Sequence, residues 1–198
     1  MSVRTDRNFK SYDGVQENVS DVTLDPVAQG WGVFVDGKFV KPDWSDTCKF
    51  WKRNKLKFEN FVIIRGGLED VVDINNDCVG NTFSKFVIMQ AGDTYVLTLK
   101  GDTSNNTLED WLIYGKGGKT VDIEIGNWSS YNFGRCTGNK FINWRREDGE
   151  PIRYAYRIGC KPTFVRTNTK HIWWLSIGLT FYWWFKFVKH RVFKIADK

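Results

Sequence analysis

The residues best suited to chemistry are five carboxylates in two short segments. Glu69, Asp70 and Asp73 lie in GGLEDVVDINN, and Asp122 and Glu124 lie in KTVDIEIGN. Asp70 and Asp73 flank one short apolar run, with Asn75, Asn76 and Asp77 directly after it. Carboxylates brought together in this way can serve as general acid and base on a glycosidic bond. Clustered with amide oxygens, they can also hold a calcium ion. Surface carboxylates and turn asparagines are, however, what any soluble β structure displays. The only histidines, His171 and His190, lie near the C-terminus, and the four cysteines, Cys48, Cys78, Cys136 and Cys160, form no CxxC pair. A zinc site of usual spacing is therefore not expected, and no GxSxG, P-loop or dinucleotide fingerprint is present. The expectation is a chain without catalysis, metal or cofactor, in which the carboxylates face solvent.

What would position these groups is a repeat. Residues 58–76 read FENFVIIRGGLEDVVDINN, residues 83–101 read FSKFVIMQAGDTYVLTLKG, and residues 108–127 read LEDWLIYGKGGKTVDIEIGN. A weaker copy, GNKFINWRREDGEPIRYAYRIG, occupies 138–159. Each contains a short apolar strand, a glycine-bearing corner and a second, alternating strand. Phe61, Phe86 and Trp111 are spaced by 25, as are Ile63, Ile88 and Ile113, and as are Gly67, Gly92 and Gly117. In the second strand Val72, Leu97 and Val121 are matched, then Ile74, Leu99 and Ile123, with one residue lost in the third copy. The fourth copy is set to begin at Phe141, after an insertion of about five residues. A fixed period in this range is the signature of stacked coils, and the strands are too short and too alternating for helical repeats. The fold expected is all-β: a short right-handed parallel β-helix of about four coils, spanning 58–160. Alternation sends Val72 and Ile74 inward and Asp73 outward, so Asp73, Thr98 and Asp122 would share an outer face.

The segment ENFVIIRGGLEDVVDINN resembles one coil of the pectate-lyase-like β-helix superfamily, which includes many phage tailspike and other phage-encoded proteins. The likeness covers about half of the chain. It implies a rod-like viral component, and, where a groove is long enough, action on polysaccharide.

Ahead of the repeat, residues 1–25 are polar and aperiodic and read as an arm. In 26–57, WGVFVDGKFVKP places Asp36–Gly37 between alternating residues, a two-residue hairpin signal, closed by Pro42. The hairpin, with Trp31, Phe34 and Trp44, would cap the open first coil. Lys49, Lys52, Arg53, Lys55 and Lys57 follow among aromatics. They suit either an anionic surface or an exposed strand protected from edge pairing.

The region 161–198 carries eight basic residues against Asp197 alone, so the net charge of +6 resides there and the rest of the chain sums to −1. The basic balance thus belongs to the tail, and specific nucleic-acid binding is not expected. Within it, residues 172–188 hold a single charge, Lys186. As a helix they would span roughly 25 Å, short of a hydrocarbon core of about 30 Å. Trp173, Trp174, Leu175, Ile177, Leu179, Phe181, Tyr182, Trp183, Trp184, Phe185 and Lys186 form a membrane-seeking anchor with interfacial tryptophans. It could span the bilayer, lie in the interface or plug a hydrophobic socket in a protein assembly; as a further option it closes the last coil. The function read from these features is that of a membrane-associated structural or attachment protein, phage-encoded, alone or as a homo-oligomer. The alternatives are a glycan-binding or glycan-cleaving module and a membrane-perturbing protein of lysis or genome entry. The aromatic segment 128–133, with Trp128, Tyr131 and Phe133, is a further contact candidate.

Overall fold

The computed structural model describes residues 10–11, 17–25, 33–35, 38–41, 46–66, 70–89, 95–114, 121–127 and 135–189. Strands β1 (Lys10–Ser11), β2 (Val19–Leu24), β3 (Val33–Val35), β4 (Lys38–Lys41), β5 (Asp46–Trp51) and β6 (Lys57–Ile63) open the chain. They are followed by β7 (Asp70–Asn75), β8 (Thr82–Ile88), β9 (Tyr95–Lys100), β10 (Thr107–Glu109), β11 (Leu112–Ile113) and β12 (Ile123–Asn127). The last strands are β13 (Lys140–Ile142), β14 (Arg145–Arg146), β15 (Ile152–Tyr156), β16 (Thr163–Val165) and β17 (Thr169–His171), and helix α1 (Trp173–Phe187) ends the described chain.

All but β3 and β4 belong to two parallel sheets. The first runs β1-β5-β7-β9-β12-β15-β17; the second stacks β2, β6 and β8, then β10 with β11, β13 with β14, and β16. The chain visits the sheets alternately and returns each time one strand further along. Strands β3 and β4 form an antiparallel hairpin. The hairpin's turn at Asp36–Gly37 lies outside the described residues, as do Gly67, Gly92, Gly117, Trp31, Pro42, Trp44, residues 128–133 and Glu69.

The 25-residue step is carried by side chains stacked on their own equivalents. Phe58 pairs with Phe83, Phe61 with Phe86 and Ile63 with Ile88. The Phe61 and Phe86 rings stack at 4.6 Å, Phe86 and Trp111 at 4.4 Å, and Trp111 and Trp144 at 4.2 Å. Each buried indole finds an acceptor, Trp111 Nε1 donating to Phe83 O and Trp144 Nε1 to Leu108 O, as such groups must when removed from water. Phe58 and Phe61 both point inward although they are three apart, which strict alternation forbids. The reason is one left-handed residue between them. Asn60, Lys85, Asp110 and Asn143 all have φ between 54° and 58°, so each bends its strand and resets the phase.

Two expected registers are corrected. Val72, Leu97 and Ile123 are the true partners, followed by Ile74, Leu99 and Ile125. The third copy has therefore gained a residue between Ile113 and Ile123, ahead of its second strand, and the equivalent of Asp73 is Glu124 rather than Asp122. Likewise Phe141 pairs with Leu108, 33 residues earlier, while Trp144 continues the Phe61–Phe86–Trp111 column. The insertion is thus eight residues beyond the period. Pairing also extends past the repeat: Val19–Leu24, within the stretch expected to be a polar arm, lies in parallel register with Phe58–Ile63.

A second column, invisible to hydropathy, holds one corner. Asn81, Asn106 and Asn139 are buried and stacked. The Asn106 Oδ1 accepts from both the N–H and Nδ2 of Asn81, and Asn139 Oδ1 accepts from both in Asn106. Their Nδ2 groups also donate to Arg53 O, Cys78 O and Thr103 O respectively. Asn106 and Asn139 thereby satisfy the N–H groups of Asn81 and Asn106, and each amide gives a turn carbonyl a side-chain donor.

Helix α1 continues from β17 along the edge of β15. Ser176 Oγ accepts from Tyr156 N–H at 3.0 Å and Thr180 Oγ1 from Ile158 N–H at 3.0 Å. Its residues are rich in aromatics of modest helix propensity and it has no side-chain N-cap. Docking against the sheet, more than intrinsic preference, must hold it helical.

Candidate functional site

The four described candidate carboxylates do not gather at one place, nor do they face solvent. Asp70, Asp73, Asp122 and Glu124 are all buried. Asp73 does sit on the opposite face of β7 from Val72 and Ile74, as alternation requires, yet every residue of β7 is buried. The expected exposed face of Asp73, Thr98 and Asp122 is therefore corrected: all three are shielded from water.

Asp70 and Asp73 are neutralised in place. Lys100 Nζ lies 2.5 Å from Asp70 Oδ2 and 3.6 Å from Asp73 Oδ1, and Lys49 Nζ lies 3.0 Å from Asp73 Oδ2. Asn75 Nδ2 donates to the same Asp73 oxygen at 3.3 Å. Burial pushes the Asp73 carboxyl upward, but the charges of Lys100 and Lys49 outweigh it and hold the group below its ordinary value of 3.8. Such a carboxylate is a structural anion, poorly suited to accept a proton near neutrality.

Asp122 belongs to a different cluster. Its two oxygens accept from the Arg153 guanidinium at 2.8 and 3.2 Å, and Oδ2 also accepts the Arg153 backbone N–H at 2.8 Å. Arg146, itself buried, approaches Oδ2 at 3.7 Å and is forked onto Asp148. Glu124 lies two strands along from Asp73 in the same column, hydrogen-bonded to the phenol of Tyr95, the register partner of Asp70; the Tyr95 proton is held more tightly by burial and by the Glu124 carboxylate. Both line a cavity of about 280 Å³ under α1, with Leu175, Gly178, Leu179 and Tyr182 on the helix side. Among the described residues no cluster of His, Cys, Asp and Glu has a metal-holding arrangement.

The basic segment 49–57 divides in the same way. Lys49 is committed to Asp73 and Arg53 is buried, while Lys52, Lys55 and Lys57 are exposed.

Among the described residues, the exposed apolar surface concentrates on the segment expected to be an anchor. Helix α1 is 15 residues long, and among the described residues no helix is long and apolar enough to cross a membrane. Leu175, Ser176, Leu179 and Thr180 turn toward the sheet. The opposite side presents Trp173 (64% exposed), Trp174, Ile177, Phe181 (68%), Trp184 (61%) and Phe185 (63%). Tyr182 is half-exposed at the cavity's edge. Positions 173, 177, 181 and 184 recur at helical spacing, so these side chains form one continuous stripe. The side chains of Trp183 and Lys186 lie outside the described residues. What the sequence did not reveal was the pair of hydroxyls, Ser176 and Thr180, whose spacing of four is the only signal that one helix face docks. Compared with known proteins, the chain matches no family model, no curated protein and no solved structure.

Proposed function

We propose that the chain is a non-catalytic attachment protein: a short right-handed parallel β-helix of about four coils, held to a lipid surface by α1. The observation that carries this reading is the aromatic stripe from Trp173 to Phe185, exposed on a helix whose other face is pinned to a sheet edge. An exposed apolar patch on a soluble body marks an interaction surface. Tryptophans and phenylalanines on one side of a helix suit the headgroup boundary, where the helix lies in the plane of the membrane. The exposed Lys161, Arg166 and Lys170 around the last strands add attraction to anionic lipid. The buried, ion-paired carboxylates favour a scaffold over a hydrolase. The coil resemblance extends the reading to a phage-encoded virion or membrane component.

Flotation of the full chain with phosphatidylglycerol-containing vesicles tests the proposal. The chain should rise with the vesicles, less so at high salt and less with phosphatidylcholine alone. A variant carrying Trp173→Ser, Phe181→Ser and Trp184→Ser should lose at least tenfold in binding with its β-sheet circular dichroism retained. Failure to float at low salt, or flotation untouched by the three substitutions, refutes the reading. A discrete oligomer that hides the stripe from vesicles would replace lipid by a second copy as its occupant.

A further inference from the structure

We propose that Cys136 and Cys160 are a disulfide-forming pair, a modification site at which a low-molecular-weight disulfide oxidises the chain and ties its last two passes together. The column they share begins earlier. Cys78 Sγ reaches Phe50 O, Thr103 Oγ1 reaches Ile74 O, and Cys136 Sγ reaches Leu99 O. Phe50, Ile74 and Leu99 are successive partners in the first sheet, so Cys78, Thr103 and Cys136 occupy one position in successive passes. Thr103 separates Cys78 from Cys136. Cys136 has no such spacer on its other side: Cys160 Sγ lies over Gly126, which follows Ile125, the partner of Leu99 in the next pass. Neighbouring strands stand about 4.8 Å apart, within the Cα separation of about 4.4–6.8 Å that a disulfide bridges.

The two sulfurs differ in the way thiol–disulfide exchange requires. Cys136 Sγ lies against the carbonyls of Gly101 at 3.1 Å and Leu99 at 3.6 Å, which disfavour a negative sulfur. Cys160 Sγ instead receives the Arg157 guanidinium at 3.4 Å. The thiol of Cys136 and the Arg157 charge bring Cys160 down to about 6, against burial, while Cys136 is raised. Gly126 completes the fit: a Cβ there would stand 2.9 Å from Cys160 Sγ. Cys78, by contrast, is pushed up to about 12 by burial and is inert.

In the reaction the Cys160 thiolate attacks one sulfur of oxidised glutathione. That S–S bond breaks, one glutathione thiolate leaves, and a mixed disulfide remains on Cys160. Cys136 then gives up its proton to solvent and attacks the Cys160 sulfur, expelling the second glutathione. Two protein thiols are oxidised, and one small disulfide is reduced to two thiols. Opening of the exposed turn at Ile158 and Gly159 admits the reagent.

The test uses the native full-length chain, reduced, exposed to oxidised glutathione and quenched with an alkylating agent. Before alkylation the intact mass should fall by two hydrogens, after it Cys136 and Cys160 should carry no alkyl group, peptide mapping should place the link at 136–160, and the initial rate should rise with pH around 6. Cys136→Ser should stop at a glutathione adduct on Cys160. A stable adduct on Cys160 in the wild-type chain, a link through Cys48 or Cys78, or a link formed only in denaturant would each overturn the proposal. Because the wild-type mass alone decides, misfolding of the variant does not protect it.

Discussion

Replacing Asn106 by Ala tests whether the stacked asparagines hold the corner or merely occupy it. The side chain takes part in four buried hydrogen bonds, two accepted by Oδ1 and two donated by Nδ2, all between 2.9 and 3.0 Å. Their loss is unequal. Asn81 Nδ2 keeps Arg53 O, Cys78 O keeps the Ser104 N–H, and Asn139 Oδ1 keeps the Asn106 N–H. The Asn81 N–H, on a residue that is itself buried, loses its side-chain acceptor. One orphaned donor costs about 1–3 kcal/mol, and three weakened bonds add about 0.5–1 kcal/mol each, for roughly 2.5–6 kcal/mol in all. Urea unfolding followed by far-ultraviolet circular dichroism gives the difference by linear extrapolation. Asn143→Gly supplies the control, because it removes an exposed bond to Asp110 while keeping a residue free to adopt the positive φ; it should change stability by only about 0.5 kcal/mol. A loss below about 1 kcal/mol for Asn106→Ala, or one equal to the control, would refute the argument.

Two further substitutions probe the charges and the bends. Lys100→Met leaves Asp70 and Asp73 short of their shared cation and should cost about 3–5 kcal/mol at pH 7. Because the folded Asp73 carboxyl lies below 3.8, its stabilisation is full above that value and fades as pH falls through the folded value. The gap between wild type and Lys100→Met should therefore narrow at pH 3, and urea midpoints that differ equally at both pH values would contradict this. Lys55 stands at φ 57° in a corner where the next passes have Gly80, Asn105 and Gly138, so Lys55→Gly should stabilise by about 0.5–1 kcal/mol through relief of the left-handed strain. A lower thermal midpoint than wild type would show that the Lys55 side chain contributes more than its backbone costs.

How much of this could be read from the residues depended on whether the repeat offered more than one solution. Phe61, Phe86 and Trp111 can be aligned because Phe58 and Phe83 recur at the same step and demand the same register. The β12 register could not: a shift of two residues leaves every inward side chain inward, so Val121 and Ile123 fit the alternation equally well. An insertion of five residues would put Phe141 in the column that Trp144 continues, because left-handed Asn143 between them puts both rings on one face, a bend no hydropathy pattern encodes. The carboxylates were expected outside because alternation gives the side of the sheet, not whether anything covers it. Lys49 and Lys100, needed to bury them, come from neighbouring strands 24 to 30 residues away. The asparagine column had a visible trace, Asn81 and Asn106 at the period of 25, which is polar and so escapes a search for apolar ladders.

The contact between α1 and β15 bears on how long such a molecule can become. Two strand residues advance about 6.6 Å and four helical residues about 6.0 Å, so hydroxyls at Ser176 and Thr180 fall at nearly the spacing of the carbonyls that another strand would offer to Tyr156 and Ile158. The helix counterfeits that rung of the ladder with side chains, and so closes the β15 edge at Tyr156 and Ile158 to any further strand.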